Sequence, residues 1–156
     1  MKEKNKILEK LWNATEKLLL IIEPGTPEGY SQIREMREYL LEIGANIVAP
    51  CAHEEKCKIE ENDWCAFSCR VARTKVHKLL KEGDAPYEDE KFSYIAVSKI
   101  KTEKKARILR HPKIENGKIT LKLCTEDGNI EEKIITKKQK ERFKIAKKLS
   151  CGDILK

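Results

Sequence analysis

Four cysteines fall within nineteen consecutive positions: Cys51, Cys57, Cys65 and Cys69, in the pattern C-x5-C-x7-C-x3-C. No apolar stripe in the chain restricts its folding as much, because thiols at that density share a metal, pair by oxidation or carry out redox chemistry. In a reducing compartment the metal is favoured over disulfides. Zinc ribbons space their cysteines as C-x2-4-C, which only the last pair here meets. An iron–sulfur cluster is wider than a single ion and suits looser spacings. Lys56 and Lys58 are placed to offset thiolate and sulfide charge, and Trp64 to shield one side from water. The spacing favours an iron–sulfur cluster, with zinc and plain thiols as the other readings.

The fourth ligand depends on local structure. If residues 64–70 form a strand, Cys65 and Cys69 lie about 13 Å apart at ~3.3 Å per residue, too far to share a cluster. In a helix the same pair lies about 6 Å apart and can share one. Cys124 is the rival. In the strand Ile119-Thr120-Leu121-Lys122-Leu123-Cys124 it lies on the polar face, away from Ile119, Leu121 and Leu123. A cysteine used only to fill a core more often shares the apolar face, though Cys is among the most often buried residues. His53 reads as a loop histidine bonded to nearby backbone, with zinc ligation as the alternative. Cys151 reads as a packing residue, and His77 and His111 as surface residues.

The reducing compartment is itself an inference. The longest apolar run, Leu18 to Ile22, is far short of the ~20 residues that span a bilayer. The charged start, Lys2-Glu3-Lys4, lacks a secretory apolar region. These features predict a cytoplasmic protein with no membrane partner. The 156 residues make one domain. Its expected parts are an N-terminal helix (1–16), an α/β part with the cysteine loop (17–98), and a basic β-hairpin with a closing helix (99–156).

Ile7, Leu8, Leu11 and Trp12 predict a helix over residues 4–16. Leu18 to Ile22 reads as a strand buried on both faces. Thr26 caps a helix opening at Pro27 and closing at Gly44, with Ile33, Met36, Leu40 and Ile43 at helical spacing. Asn46 to Ala49 is a second strand, so a right-handed βαβ unit with parallel strands is expected. Ligands of open α/β sheets collect beyond the carboxyl ends of the strands. Neighbouring strands would therefore bring Glu23-Pro24-Gly25 and Cys51 to one edge. Residues 51–64 read as irregular, Val71 to Leu80 as helix and Phe92 to Val97 as strand. Arg107–Leu109, Ile119–Leu123 and Ile130–Ile135 read as short strands with turns at Asn116-Gly117 and Asp127-Gly128, the last two strands forming a hairpin. Residues 137–149 read as a basic closing helix.

Lys+Arg exceed Asp+Glu by 33 to 26, a formal net charge of +7. The excess gathers in two runs. One holds Lys99, Lys101, Lys104, Lys105, Arg107, Arg110 and Lys113; the other holds Lys133, Lys137, Lys138, Lys140, Arg142, Lys144, Lys147 and Lys148. Such density neutralises phosphates and makes binding salt-dependent, though basic runs also serve as solvated faces. Nothing in them reads base sequence. The chain has no G-x-G-x-x-G, P-loop or G-x-S-x-G segment. Its close pair Gly25 and Gly29 belongs to a turn and a helix start, so no glycine-rich floor for a nucleotide or S-adenosylmethionine is in view.

Several segments together resemble one family: Leu20-Ile21-Ile22-Glu23-Pro24-Gly25-Thr26-Pro27, Ala49-Pro50-Cys51-Ala52-His53, Trp64-Cys65, Glu88 to Tyr94, and the closing Leu149-Ser150-Cys151-Gly152-Asp153. They are similar to the methyltransferase-like proteins of the mitochondrial small ribosomal subunit and their bacterial and archaeal relatives. The similarity covers residues 18–153 and only the carboxyl-terminal half of that family. Departures are Ala52 where the family commonly has Pro, Ala66 where it often has His, and Cys151 where it usually has Trp. The resemblance implies a truncated methyltransferase-like Rossmann fold with an added β-hairpin and terminal helix, stapled by a [4Fe-4S] cluster. It carries the family's ligands onto Cys51, Cys57, Cys65 and Cys124, the last preceding Glu126-Asp127-Gly128. It further implies a non-catalytic protein of small-subunit assembly or translation that contacts ribosomal RNA. The residues assigned to RNA are Lys99, Lys101, Lys104, Lys105, Arg107, Arg110, Lys137, Lys138 and Arg142. With the cofactor-binding half missing, the Leu18–Ile22 strand should keep an unpaired edge, covered by a protein partner or by self-association. The alternative is a subunit of a hetero-oligomeric S-adenosylmethionine-dependent RNA methyltransferase whose cofactor-binding half is a separate chain.

Overall fold

The structure, a computed structural model, describes residues 2–80 and 83–155; Met1, in the expected first helix, lies outside them. The chain runs through α1 (Lys2–Ala14), β1 (Leu18–Pro24), α2 (Pro27–Glu42), β2 (Asn46–Ala49), β3 (Phe67–Ala72), α3 (Lys75–Leu80) and β4 (Tyr87–Ser98). β4 is the spine of this first sheet and pairs antiparallel with β1, β2 and β3. Phe92 is opposite both Pro24 and Phe67, and Val97 opposite both Leu19 and Ile47. β1 therefore flanks β4 on one side, and β2 and β3 share the other.

This topology corrects the expected βαβ unit. β1 and β2 run in the same direction, since both oppose β4, but β4 separates them. Their carboxyl ends still reach one edge of the sheet, because direction alone decides that. On the second side of β4, β2 pairs with Ala96–Ser98 and β3 with Tyr87–Phe92. Ser93, Tyr94 and Ile95 are left between them, and the cysteine loop leaves and re-enters the sheet across that gap.

α2 forms where its caps predict. The Thr26 side chain accepts a hydrogen bond from the Gly29 backbone N–H at 3.1 Å, and Pro27 occupies the first turn. Leu8 and Trp12 of α1 and Ile33, Met36 and Leu40 of α2 pack on Ile47, Ile95 and Val97 to make the first core. Leu19 and Ile21 join this core, but Leu18, Leu20 and Ile22 point from the opposite face and are 53%, 50% and 58% exposed. β1 is thus not buried on both faces. Its single strand neighbour among the described residues is β4, and α1 adds no strand to its free edge.

Residues 71 and 72 belong to β3, so the expected helix is shortened to Lys75–Leu80. The strand expected over 92–97 is longer, because its polar start pairs with β3. The expected hairpin is one side of a second, four-stranded antiparallel sheet of β5 (Arg107–Ile108), β6 (Lys113–Glu115), β7 (Lys118–Cys124) and β8 (Ile130–Thr136), in which β5, β6 and β8 all pair with β7. The closing helix is a 3-10 turn at Lys137–Gln139 followed by α4 (Lys140–Ala146). β7 is central and has two different faces. Ile119, Leu121 and Leu123 meet Phe143 and Ala146 of α4 in a second core. Cys124 instead joins Ala52 and Leu109 in a small third core, with Cys65 and Ile59 packed against it.

Candidate metal centre

Residues 50–66 have no regular secondary structure, so their backbone groups need partners from elsewhere. The first sheet supplies the Ser93 hydroxyl, which donates to the Cys65 carbonyl at 2.8 Å. Trp64 Nε1–H donates to the Gly25 carbonyl at 3.1 Å, tying the loop to the turn after β1. A Cβ at Gly25 would lie 2.6 Å from the Lys91 and Phe92 backbone, so only glycine permits that approach. The second sheet supplies cations. Arg107 donates to the Pro50 carbonyl at 2.9 Å, and Arg110 to the Trp64 carbonyl at 2.9 Å. Asp63 accepts from both Arg110 and Lys122. Gly128, at φ +79°, lets the β7–β8 turn press onto His53.

These anchors bring Cys51, Cys57, Cys65 and Cys124 around one small cavity of about 30 Å³. Ile33, Ile95 and Leu109 complete much of its wall, and no carboxylate lines it. Cys69 lies outside, exposed on β3. Cys151 is also outside, its thiol donating to the Leu109 carbonyl at 3.1 Å. Trp64, read from sequence as a shield, does not line the cavity; its indole is spent on Gly25, and aliphatic side chains take that place. His53 is buried and lines the cavity beside the Glu55 backbone, and among the described residues its Nδ1 makes no hydrogen bond. His77 and His111 are exposed as expected.

The electrostatics follow from burial. Cys65 is pushed well above the usual thiol range, first by burial and then by the neighbouring cysteines. Cys124 is pushed up to about 11 for the same leading reason. Burial also raises Cys51, opposed by the charge and hydrogen bonding of Arg37. Tyr30 is raised by burial and by its 3.2 Å contact with Cys57 Sγ. The Cys51, Cys65 and Cys124 sulfurs are therefore neutral thiols until something that prefers thiolates displaces their protons. Among the described residues, no three His, Cys, Asp or Glu side chains are grouped closely enough to hold a single metal ion as they stand. The donors are four sulfurs with the His53 imidazole at the wall, a set that matches a soft metal or an iron–sulfur cluster and not a hard cation. Two buried polar atoms beside it, Arg37 Nε and His53 Nδ1, have no hydrogen-bond partner among the described residues.

The basic residues divide into two groups. Lys104 bonds the Ile47 carbonyl and pairs with Glu54 at 3.0 Å, while Arg107 and Arg110 turn inward to the loop. Lys99, Lys101, Lys105, Lys137, Lys138 and Arg142 are exposed. Lys99 lies over the Trp12 ring at 5.6 Å, and Lys137 bonds the Asn116 side chain at 3.3 Å. Arg37 is not among the residues that the sequence singles out. The signal that could have found it is spacing, since Ile33, Arg37 and Leu40 share the buried face of α2.

An antiparallel strand between two codirectional ones, backed by helices and joined to a second sheet, makes a mixed α/β fold consistent with the methyltransferase-like class. The profile of the family described as "Mitochondrial small ribosomal subunit Rsm22" matches residues 1–156, and the chain belongs to that family. It is 24% identical over 171 aligned positions to human "Ribosome assembly protein METTL17, mitochondrial", covering 98% of this chain and 36% of the relative. It is 26% identical over 197 positions to the fission yeast (Schizosaccharomyces pombe) "Rsm22-cox11 tandem protein 2, mitochondrial", covering 94% of this chain and 26% of the relative. The chain thus spans between a quarter and just over a third of the curated relatives it matches.

The Asp63 clamp is testable by pH. Burial raises its carboxyl pKa, but the Lys122 hydrogen bond, the Trp64 N–H and Arg110 outweigh this and hold it below the ordinary value of 3.8. A depressed pKa stabilises the fold above that ordinary value, and the contribution is lost as pH falls through the folded one. Asp63→Asn should cost about 1–2 kcal/mol at pH 7, discounted for partial exposure. The difference from wild type in denaturant unfolding should close as pH drops below the carboxylate range. Equal stability of the two proteins at pH 7 would show that the clamp contributes nothing.

Proposed function

We propose that this chain is a cytoplasmic, non-catalytic RNA-binding protein of small ribosomal subunit assembly or translation, with a [4Fe-4S] cluster on Cys51, Cys57, Cys65 and Cys124. The observation that carries the reading is the convergence of those four cysteines on one carboxylate-free cavity between the two sheets. Zinc is the alternative occupant of the same sulfurs. The ribosomal half of the reading is supported by the family and by the printed name of the human relative, a ribosome assembly protein. The outward lysines and Arg142 supply phosphate-neutralising charge. The cluster's role here is structural: bound thiolates tie an irregular loop to the end of β7, and metal binding contributes folding energy.

Among the described residues the free edge of β1 has no strand partner, and this favours a second reading. Unpaired edges are normally covered or blunted, and Leu18, Leu20 and Ile22 leave this one apolar on its open face. A separately encoded cofactor-binding chain docking there would complete an S-adenosylmethionine-dependent RNA methyltransferase; a second copy of this chain would cover the edge without conferring activity. S-adenosylmethionine binding by a copurified pair, and not by this chain alone, distinguishes the first of these.

Protein purified without air should contain about four irons and four sulfides and absorb broadly near 400 nm. Cys124→Ser should lose most of that iron, while Cys69→Ser keeps it. Zinc alone, retained in Cys124→Ser, would overturn the cluster assignment. The chain should also cosediment with small-subunit particles at low salt and detach steeply as salt rises. Joint replacement of Lys101, Lys105, Lys137 and Lys138 by Gln should flatten that dependence by roughly one unit of log–log slope for each phosphate that is no longer neutralised. No cosedimentation at low salt would remove the ribosomal role.

A further inference from the structure

Arg37 is 3% exposed, in the middle of α2. A guanidinium at that depth is costly unless its charge is matched. No carboxylate pairs with it among the described residues. One terminal nitrogen donates to the His53 carbonyl at 3.2 Å and the Glu55 carbonyl at 2.7 Å. Both acceptors are neutral, so they orient the group without balancing it. Its Nε–H, also buried, meets no acceptor. The side chain lines the four-cysteine cavity, beside Cys51. Two turns earlier on the same helix, the Tyr30 hydroxyl reaches Cys57 Sγ at 3.2 Å. One face of α2 therefore addresses two of the four sulfurs, and Arg37 brings it a full positive charge.

We infer that Arg37 is the internal counter-ion of this centre: its charge and its free Nε–H are directed at the sulfur cage, so that it sets both the retention and the redox poise of what binds there. The inference rests on the cluster reading above. A cluster held by four thiolates carries net negative charge, and one-electron reduction adds another negative charge to it. A fixed cation beside the cage favours the bound state over the empty one and the reduced state over the oxidised one. The bonds to the His53 and Glu55 carbonyls prevent the guanidinium from swinging to solvent, so Arg37 acts as a positioning residue through Cys51.

The test uses the full chain, reconstituted without air with ferrous iron and sulfide, as wild type, Arg37→Lys, Arg37→Gln and Arg37→Met. Iron and sulfide content of the wild type comes first. If it takes up no cluster, the cluster reading fails before Arg37 is in question. With the wild type loaded, Arg37→Gln should shift the reduction equilibrium about tenfold toward the oxidised form, which for one electron is ~59 mV lower in potential. Arg37→Lys, keeping the charge, should recover most of that shift. Retention against a chelator should fall roughly 10- to 100-fold in Arg37→Gln and Arg37→Met, as for other outer-shell partners. In the cluster-free proteins the stability difference should be small, because removing an unmatched buried cation offsets the loss of its bonds to the His53 and Glu55 carbonyls in Arg37→Met. A merely structural clamp would lower iron content while leaving the potential of the loaded fraction unchanged, and that result overturns the proposal. Failure of the cluster-free Gln and Met variants to fold also overturns it, by making Arg37 a scaffold residue. Disappearance of the potential shift when Lys restores the charge supports it.

Discussion

Strand β4 lacks a partner on one side at Ser93, Tyr94 and Ile95, because β2 leaves it at Ala96 and β3 joins it only at Phe92. The chain between those points has to leave the sheet, and it does so without regular structure. An irregular segment at the joint of two sheets must satisfy its carbonyls some other way. Besides the Ser93 hydroxyl at Cys65, the donors here are arginines. Arg107 serves Pro50, Arg110 serves Trp64, and Arg37 serves His53 and Glu55. Arginine suits this use because its five N–H donors are spread over a planar fork, so one side chain can hold more than one carbonyl. Arg107 illustrates it by also holding the Gly152 carbonyl at 2.8 Å. The gap in β4, the arginine clamps and the cysteine cavity are one device seen at three levels.

What can be read from the sequence is what depends on neighbours along the chain. The Thr26-Pro27 cap of α2, its closure at Gly44, the turns at Gly117 and Gly128, and the face of β7 that carries Cys124 all follow from short-range pattern, and all are present. The placement of β4 between β1 and β2 is a pairing across more than forty residues, and no local pattern encodes it. The length of β4 is hidden for a different reason. Its first residues, Tyr87 to Lys91, are mostly polar and carry no apolar alternation. They are strand because their backbone pairs with β3, and Arg70 adds an ion pair with Asp89 at 2.8 Å while Arg73, just past β3, adds one with Glu88 at 2.8 Å. A charge run outside the expected strand is here a cross-strand ladder.

The candidate site is legible in its cysteines and illegible in its cations. Four sulfurs announce themselves by residue type. Arg37 is an arginine among Glu35, Glu38 and Arg34, and composition alone places it on the solvated side of α2. Only its spacing from Ile33 and Leu40 puts it inside. Arg107 and Arg110 mislead in the same direction: their basic run points to RNA, yet both face the loop. Residue type divides the basic runs better than position does. The arginines that stabilise the fold need directional bonds to carbonyls, whereas exposed lysines act through charge alone and need no fixed geometry.

The groups around the cavity leave one another's demands unmet. Burial keeps the Cys51, Cys65 and Cys124 sulfurs protonated, while Arg37 presents an unmatched charge and an unspent N–H to the same space. Each feature is unfavourable alone, and one change relieves both: thiolates bound to a metal centre supply negative charge where the guanidinium already points. Sequences usually keep such mutually unsatisfied groups only where function requires them. The strain falls at a joint where the clamps come from both sheets, through Ser93 on one side and Arg107, Arg110 and Lys122 on the other. Occupancy would therefore strengthen the contact between the sheets as well as order the loop. An empty centre would weaken the link between the α/β part and the basic second sheet, where Lys137, Lys138 and Arg142 are carried. On the reading proposed above, the metal centre and the RNA-facing charge would be coupled through the loop, although no basic side chain of that surface lines the cavity.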